Sequence, residues 1–290
     1  MTVGFAVLGL FVNSVVSVNA AAGDRLNLPD GFLLVAHRGG VVTETTPENS
    51  FAALEEAIRR GYTHVEVDVQ CTADGYPVCL HDRSLKRAAG VDGLIDKLTL
   101  AEVRDRAPEE RVPGFDAYCQ RCAGRIGLMV DIKMCPESLR GVFAERLRGS
   151  LERHGLSGNT LFIGRSELRP YLEGGGLMNW RGGAAALALA QDIGRNFFVF
   201  RHAPDLDRER VRAYQARGLQ VIVSINTAHY RGRDPLASGA RDAAAMLALG
   251  VDGLQIDSEY EPAVKAFFKD RPAVTDDRHP AALADARRDE

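Results

Sequence analysis

A surplus of charge, internal repeats and paired cysteine motifs are all missing from these 290 residues, and each absence removes a class of protein. Lys and Arg number 36 against 39 Asp and Glu, a formal net charge of -3, so there is no basic excess of the kind a nucleic-acid surface needs. Five cysteines leave one over from any full set of pairs, and Cys119-Gln120-Arg121-Cys122 lacks the second C-x-x-C of a zinc site. Structural thiols or a facultative disulfide are expected, and Cys71 and Cys79, which flank a turn at Asp74-Gly75, could face each other across it. No repeat or low-complexity block divides the chain. At 46% hydrophobic and 26% charged, it is composed as one large globular domain, expected over residues 30–270.

Charge is also absent from Met1 to Val18, which leads into the small residues Val18-Asn19-Ala20 and Ala21-Ala22. Residues 1–22 therefore read as a signal peptide, and export to a periplasmic or secreted location is expected. A cytoplasmic enzyme with an apolar extension, or a protein anchored by this run, are the alternatives, the run being near the minimum spanning length. Any membrane contact would then be made by this segment alone. At the other end, residues 271–290 form a charged, alanine-rich tail without an apolar period.

What the sequence does contain is a series of short apolar runs that each end in chemistry. Phe32-Leu33-Leu34-Val35-Ala36 reads as a buried strand that delivers His37 at its C-terminal end, before Gly39-Gly40. In Tyr62 to Val69 the period of two sends Glu66 and Asp68 to one face and Val65, Val67 and Val69 to the other. Two acids on one face of a β-branched strand are costly to bury unless a cation lies between them, and carboxylate oxygens suit a hard cation. Leu128 to Lys133 repeats the pattern: Asp131 and Lys133 share a face, adding a third carboxylate and an ammonium. Pro77-Val78-Cys79-Leu80-His81 is a further short strand, again closing on a histidine, here followed by Asp82.

Helical stretches alternate with these strands: Glu48 to Arg60, Thr99 to Arg106, Pro136 to His154 and Asp207 to Arg217. Alternation of this kind predicts parallel strands joined by helical crossovers. Asn49 or Thr46 can cap the first helix with Pro47 in its first turn, and Thr99 with Glu102 forms a capping box. Gly61, Gly155, Gly218 and Gly250 fall where left-handed helix ends belong. About eight such strands in a domain of roughly 250 residues predict an α/β fold, a single (β/α)8 TIM barrel with its site at the C-terminal mouth of the strands. The glycine-rich stretch from Gly174 to Ala190 fits this rhythm least well.

Seven segments make the resemblance specific: Ala36-His37-Arg38-Gly39-Gly40, Thr46-Pro47-Glu48-Asn49-Ser50, Val65-Glu66-Val67-Asp68-Val69, Asp74-Gly75-Tyr76-Pro77-Val78, Leu80-His81-Asp82, Asp131-Ile132-Lys133 and Gly250 to Asp257. In this order and spacing the chain, from about Phe32 to Glu261, resembles the glycerophosphodiester phosphodiesterase family, a (β/α)8 barrel group. The resemblance implies that His37 and His81 are the general acid and base, that Glu66, Asp68 and Asp131 bind one divalent cation, Ca2+ or Mg2+, and that Arg38 and Lys133 hold the substrate phosphate. It further implies a small-molecule glycerophosphodiester as substrate, with glycerol 3-phosphate and an alcohol as products. The attacking oxygen is either the substrate's own hydroxyl or water. Family members usually carry glutamate where this chain has Asp131, a departure of one methylene that falls on the metal position.

The residue chemistry agrees with that implication. A phosphodiester gains negative charge in the transition state, which a cation, Arg38 and Lys133 would stabilise, and imidazoles move protons near neutral pH. Glu48, Asn226 and Asp257 are candidates to support or line the site, with helix or loop capping as their plainer role. His64, His154, His202, His229 and His279 are expected to be structural; His64 shares a face with Glu66 but lies at the strand's start. Two other functions remain open. A phospholipase of the C or D type, acting on intact or lysophospholipid, calls for an apolar rim, for which Phe197 to Phe200 and Leu177-Met178-Asn179-Trp180 are candidates. A non-catalytic binding barrel is disfavoured because both histidines and all three acids are present.

Overall fold

The runs of alternating side chains become strands with both faces covered. The computed structural model describes residues 26–179 and 196–269, so the apolar segment 1–22, the tail 271–290, Trp180 and much of the glycine-rich stretch lie outside the described residues. The strands are β1 (Leu33–Ala36), β2 (His64–Cys71), β3 (Pro77–Cys79), β4 (Gly127–Ile132), β5 (Thr160–Gly164), β6 (Leu177–Asn179), β7 (Phe197–His202), β8 (Gln220–Ile225) and β9 (Gly253–Ile256). All except β3 are parallel, in the order β1-β9-β8-β7-β6-β5-β4-β2, and β1 also pairs with β2 to close the ring. The eight-stranded barrel expected from the alternation is therefore the fold.

Side-chain parity sorts this ring into two layers. Leu34, Val65, Val67, Val69, Leu128, Val130, Phe162, Val199, Val221, Val223, Leu254 and Ile256 point outward into one continuous core beneath the helices. Val35, Met129, Leu161, Phe198 and Ile222 point inward and fill the barrel. Above that plug, nearer the mouth, the inward positions turn polar: Glu66 and Asp68 on β2, Asp131 on β4, Ser224 on β8, Gln255 on β9. Removal of apolar surface from water, roughly 25 cal/mol per Å2, stabilises both dry layers, which leaves the polar layer free to be shaped by chemistry.

Two local expectations are corrected. The first helix, α1 (Phe51–Arg60), begins three residues later than Glu48, and its cap is Ser50, whose Oγ accepts from Ala53 N–H at 3.2 Å. Asn49 cannot serve because its side chain is already bonded to Asp68, twice, and its backbone is left-handed at φ +56°. Thr46 instead donates to Val41 O at 2.7 Å.

The second correction concerns the strand before His81. β3 does form, but it runs antiparallel to β2, with Val69 opposite Cys79, Gln70 opposite Val78 and Cys71 opposite Pro77. β2 thus continues past the barrel mouth, turns at residues 72–76 and comes back, so that Leu80 N–H bonds Asp68 O at 2.9 Å. The same register places Cys71 and Cys79 opposite other residues, so they do not face each other; all five cysteines are free and buried. Beyond β3 the chain builds an arm with its own apolar cluster: Val78, Leu80, Leu85, Ile95, Leu98, Val103, Ala107 and Val112. The arm includes the short helix α2 (Lys86–Ala89) and α3 (Leu100–Arg106), whose Thr99–Glu102 capping box is present as expected. α4 (Phe115–Cys122) then returns the chain to the barrel.

Candidate active site

The mouth is assembled from the ends of β1, β2, β4, β8 and β9 together with the arm. At the end of β1, Arg38 adopts φ 56°, ψ 47°, a left-handed conformation that costs a non-glycine residue of the order of 1 kcal/mol. That turn aims the Arg38 N–H at Glu66 Oε2, 2.7 Å away. The next two residues, both glycines, are required by packing: a Cβ on Gly40 would lie 2.0 Å from Ala53 O, and one on Gly39 would lie 2.4 Å from Asn49 Cα.

Both histidines are held in the same way. His37 Nδ1 lies 2.6 Å from Asp257 Oδ1, and the second oxygen of Asp257 accepts from Thr227 N–H and Oγ–H, both at 2.7 Å. His81 Nδ1 lies 2.8 Å from Asp82 Oδ1. A carboxylate only accepts, so each Nδ1 carries a proton, which leaves Nε2 as the nitrogen able to take up or release one. His37 Nε2 is 3.4 Å from Asn226 Nδ2, and His81 Nε2 is 3.4 Å from Arg38 Nη2. Burial alone would raise the Asp257 carboxyl, but the bond and charge of His37 and the Thr227 donors hold it below the ordinary value. The Arg87 bond holds the Asp82 carboxyl far below its own.

Glu66, Asp68 and Asp131 offer oxygens that all lie within 4.8 Å of one another, and the first two are almost fully buried. β2 and β4 pair Asp68 directly with Asp131, which is why the two meet. Gly164 on the next strand leaves room for the third acid, since a Cβ there would come within 2.5 Å of Asp131 Oδ1. Lys133 Nζ is 2.6 Å from both Asp68 Oδ1 and Asp131 Oδ2, and the ammonium is held above its usual range by these acids against the opposing effect of burial. Burial would raise Asp68 too, but Lys133 and then His81 bring it below normal. Glu66 goes the other way: burial, then Asp68 and Asp131, push its carboxyl well above normal.

With Glu66 ionised, the state a bound cation favours, three carboxylates and one ammonium carry a net charge of two negatives, which one divalent cation would balance. Burying an uncompensated ion costs several kcal/mol, and an all-oxygen donor set suits Ca2+ or Mg2+. The residues present therefore fit a hard divalent metal.

The structure brings His37, Arg38, Glu66, Asp68, His81, Asp131 and Lys133 to one mouth. It also gives the three supporting candidates definite partners: Asp257 holds His37, Asn226 lies against it, and Glu48 Oε2 accepts from Arg38 Nη1 at 2.9 Å. His64 sits buried at the foot of β2 beside Thr63, as its position in the strand implied. Three further residues of the mouth are not among the site candidates named from the sequence. Asn49 clamps Asp68 from side chain and backbone, Asp82 holds His81, and Arg87 holds Asp82. Asp82 had a signal, being adjacent to His81; Asn49 and Arg87 are joined to their partners only by folding.

In the two segments that are candidates for an apolar rim, Trp180 lies outside the described residues. Phe198 and Val199 are buried in the core, Met178 likewise, and of these segments Phe200 and Asn179 line the 570 Å3 cavity beside Asp131, with Arg201, His202 and Asp205. A second cavity of about 200 Å3 is lined by His37, Arg38, Glu48, Thr227 and Asp257.

Fold and site together define a parallel (β/α)8 barrel with an acid cluster and two carboxylate-held histidines at its mouth. The chain matches the model of the glycerophosphoryl diester phosphodiesterase family over residues 37–145. It is 31% identical over 127 residues to mouse glycerophosphodiester phosphodiesterase 1, covering 38% of each chain. It is 29% identical over 168 residues to the Bacillus subtilis glycerophosphodiester phosphodiesterase, covering 52% of this chain and 56% of that one. The matches thus span about two fifths to just over half of these relatives. Among solved structures, an Oleispira antarctica phosphodiesterase in complex with the product sn-glycerol-3-phosphate shares the fold, with TM-score 0.61, 22% identity and coverage of 82% of this chain and 96% of that one.

Proposed function

We propose that this chain hydrolyses glycerophosphodiesters to glycerol 3-phosphate and an alcohol, with His37 and His81 as the proton-transfer pair and a divalent cation at Glu66, Asp68 and Asp131. The observation that carries the reading is the paired arrangement of the histidines: each fixed through Nδ1 to a carboxylate, with Arg38 next to His37 in the chain and its guanidinium against His81, and the acid trio alongside. The named relatives and the product-bound neighbour support the substrate class.

One imidazole takes the proton from the attacking oxygen while the other gives a proton to the leaving alkoxide, a contribution of about 10²–10⁴-fold in rate. Asp257 and Asp82 stabilise whichever ring becomes positive. Arg38 holds a phosphoryl oxygen against the charge that develops there, and Lys133 is poised to do the same from the acid side. When bound, Ca2+ or Mg2+ supplies a Lewis acid for those oxygens. Export rests on the apolar segment 1–22, and mass spectrometry of the mature N-terminus tests it.

The deciding assay offers a panel of glycerophosphodiesters and lysophospholipids with and without chelator. Release of glycerol 3-phosphate that stops on chelation, and that falls by about 10²–10⁴-fold in His81→Ala with the fold intact, supports the reading. Turnover indifferent to chelator would remove the metal from it, and unchanged turnover in His81→Ala would sink the histidine pair. Preferred cleavage of lysophospholipids would move the substrate class to lipids.

A further inference from the structure

Arg87 lies on α2, on the arm, and belongs to none of the strand ends that build the mouth. Its side chain nevertheless closes a ring. Arg87 Nε is 2.6 Å from Asp82 Oδ2, and Arg87 Nη2 is 2.6 Å from Glu48 Oε1. The other oxygen of Asp82 holds His81 Nδ1 at 2.8 Å, and the other oxygen of Glu48 holds Arg38 Nη1 at 2.9 Å. Arg38 Nη2 and His81 Nε2, 3.4 Å apart, complete the circuit. Five side chains are thus linked in turn, Arg87, Asp82, His81, Arg38, Glu48, and back to Arg87, whose Nη2 also lies 3.5 Å from His81 Nδ1.

We propose that Arg87 is a positioning residue that fixes His81 through Asp82 and Arg38 through Glu48, and so sets the distance between the proton carrier on the arm and the phosphate-holding group on the barrel. The proposal rests on the phosphodiesterase reading above. A single isolated ion pair at the surface would contribute little. Arg87 differs because its planar fork satisfies two carboxylates at once in fixed directions, something a lysine point charge cannot do. Each of those carboxylates uses its remaining oxygen on a group of the mouth, so Arg87 constrains orientation rather than substrate contact. It touches neither Glu66, Asp68 nor Asp131.

The test compares Arg87→Ala, Arg87→Lys and the unsubstituted chain on a glycerophosphodiester with saturating Mg2+ or Ca2+. Misplacement of a catalytic group by about 1 Å costs on the order of 10²-fold, so Arg87→Ala is expected to lower kcat by roughly that factor with KM changed far less. Arg87→Lys, able to reach one carboxylate at a time, should recover only part of the loss. Guanidinium ion at low, non-denaturing concentration should restore kcat to Arg87→Ala and leave the unsubstituted chain unaffected. Unchanged kcat in Arg87→Ala, or full recovery in Arg87→Lys, would overturn the proposal. So would a loss that tracks a fall in Tm and is not restored by guanidinium, the behaviour of a merely structural clamp. If the unsubstituted chain cleaves no glycerophosphodiester, the functional reading falls and the positioning role falls with it; an active chain with an indifferent Arg87→Ala removes the positioning role alone.

Discussion

His64 and Glu66 stand two residues apart on one face of β2, and burial acts on them in opposite directions. Burial drives the His64 imidazole down from 6.5 to about 4, with only the Asn159 bond opposing, because the charged form cannot be solvated at the foot of the barrel. The unfolded chain keeps the ordinary value, so between those limits it binds the proton that the folded chain refuses. Stability contributed by neutral His64 is therefore complete above about pH 6.5 and is lost as pH falls toward 4, by roughly 3 kcal/mol in all. Urea unfolding at pH 7 and pH 4.5 should show this slope in the unsubstituted chain and a shallower one in His64→Gln; equal slopes would remove His64 as its source. The position that separates His64 from the site is readable from sequence: parity puts it on the face of Glu66, and its place at the start of the strand puts it away from the mouth. The partnership of Asn49 with Asp68 is not, because it depends on a left-handed residue at 49 that releases the side chain from helix capping.

The arm shows what a pattern of short elements conceals. Pro77 to Cys79 has the composition of a strand and is one, but composition carries no direction, and only the pairing with β2 reveals that it runs back toward the mouth. Its three residues could not support themselves; the apolar cluster around fully buried Leu85 does. Leu85→Ala should cost about 2–5 kcal/mol locally. Because His81 is carried by this arm while His37 is carried by the barrel, the variant is expected to lose kcat on warming well before the barrel melts. Activity and near-ultraviolet circular dichroism recorded together against temperature would show two separated transitions, whereas coincident ones would make arm and barrel a single cooperative unit. The helix starts are legible where a side chain has no other employment, as at Thr99, and misleading at 48–50, where it has.

At the scale of the molecule, the ring of eight strands results from alternation and length, and the gathering of chemistry at one end results from the ring. The choice among substrates does not, since loops at the mouth would make it and their shapes arise from packing between distant segments. The charge imbalance of the mouth is a property of the whole assembly: Glu66, Asp68, Asp131 and Lys133 come from two strands and the residue beyond one of them. Filling it should stabilise the fold. A divalent cation at a hundred times its Kd contributes about 2.7 kcal/mol, which for a chain of this size raises Tm by roughly 5–10 °C. Scanning calorimetry with Ca2+, Mg2+ and chelator would measure it, and Glu66→Gln should abolish the increment; an increment that survives in Glu66→Gln would place the ion elsewhere.

Arg38 reaches the acid trio through its main-chain N–H and reaches Glu48 and His81 through its guanidinium. Replacement of the side chain leaves the amide in place, so a scan of side chains at this position tests only one of its two connections. Proline is the one encoded residue that deletes the N–H, and its ring cannot take a positive φ. Arg38→Ala and an amide-to-ester exchange between residues 37 and 38 are thus complementary dissections of a single position, the first cutting its link to Glu48 and His81 and the second its link to Glu66 in the acid trio.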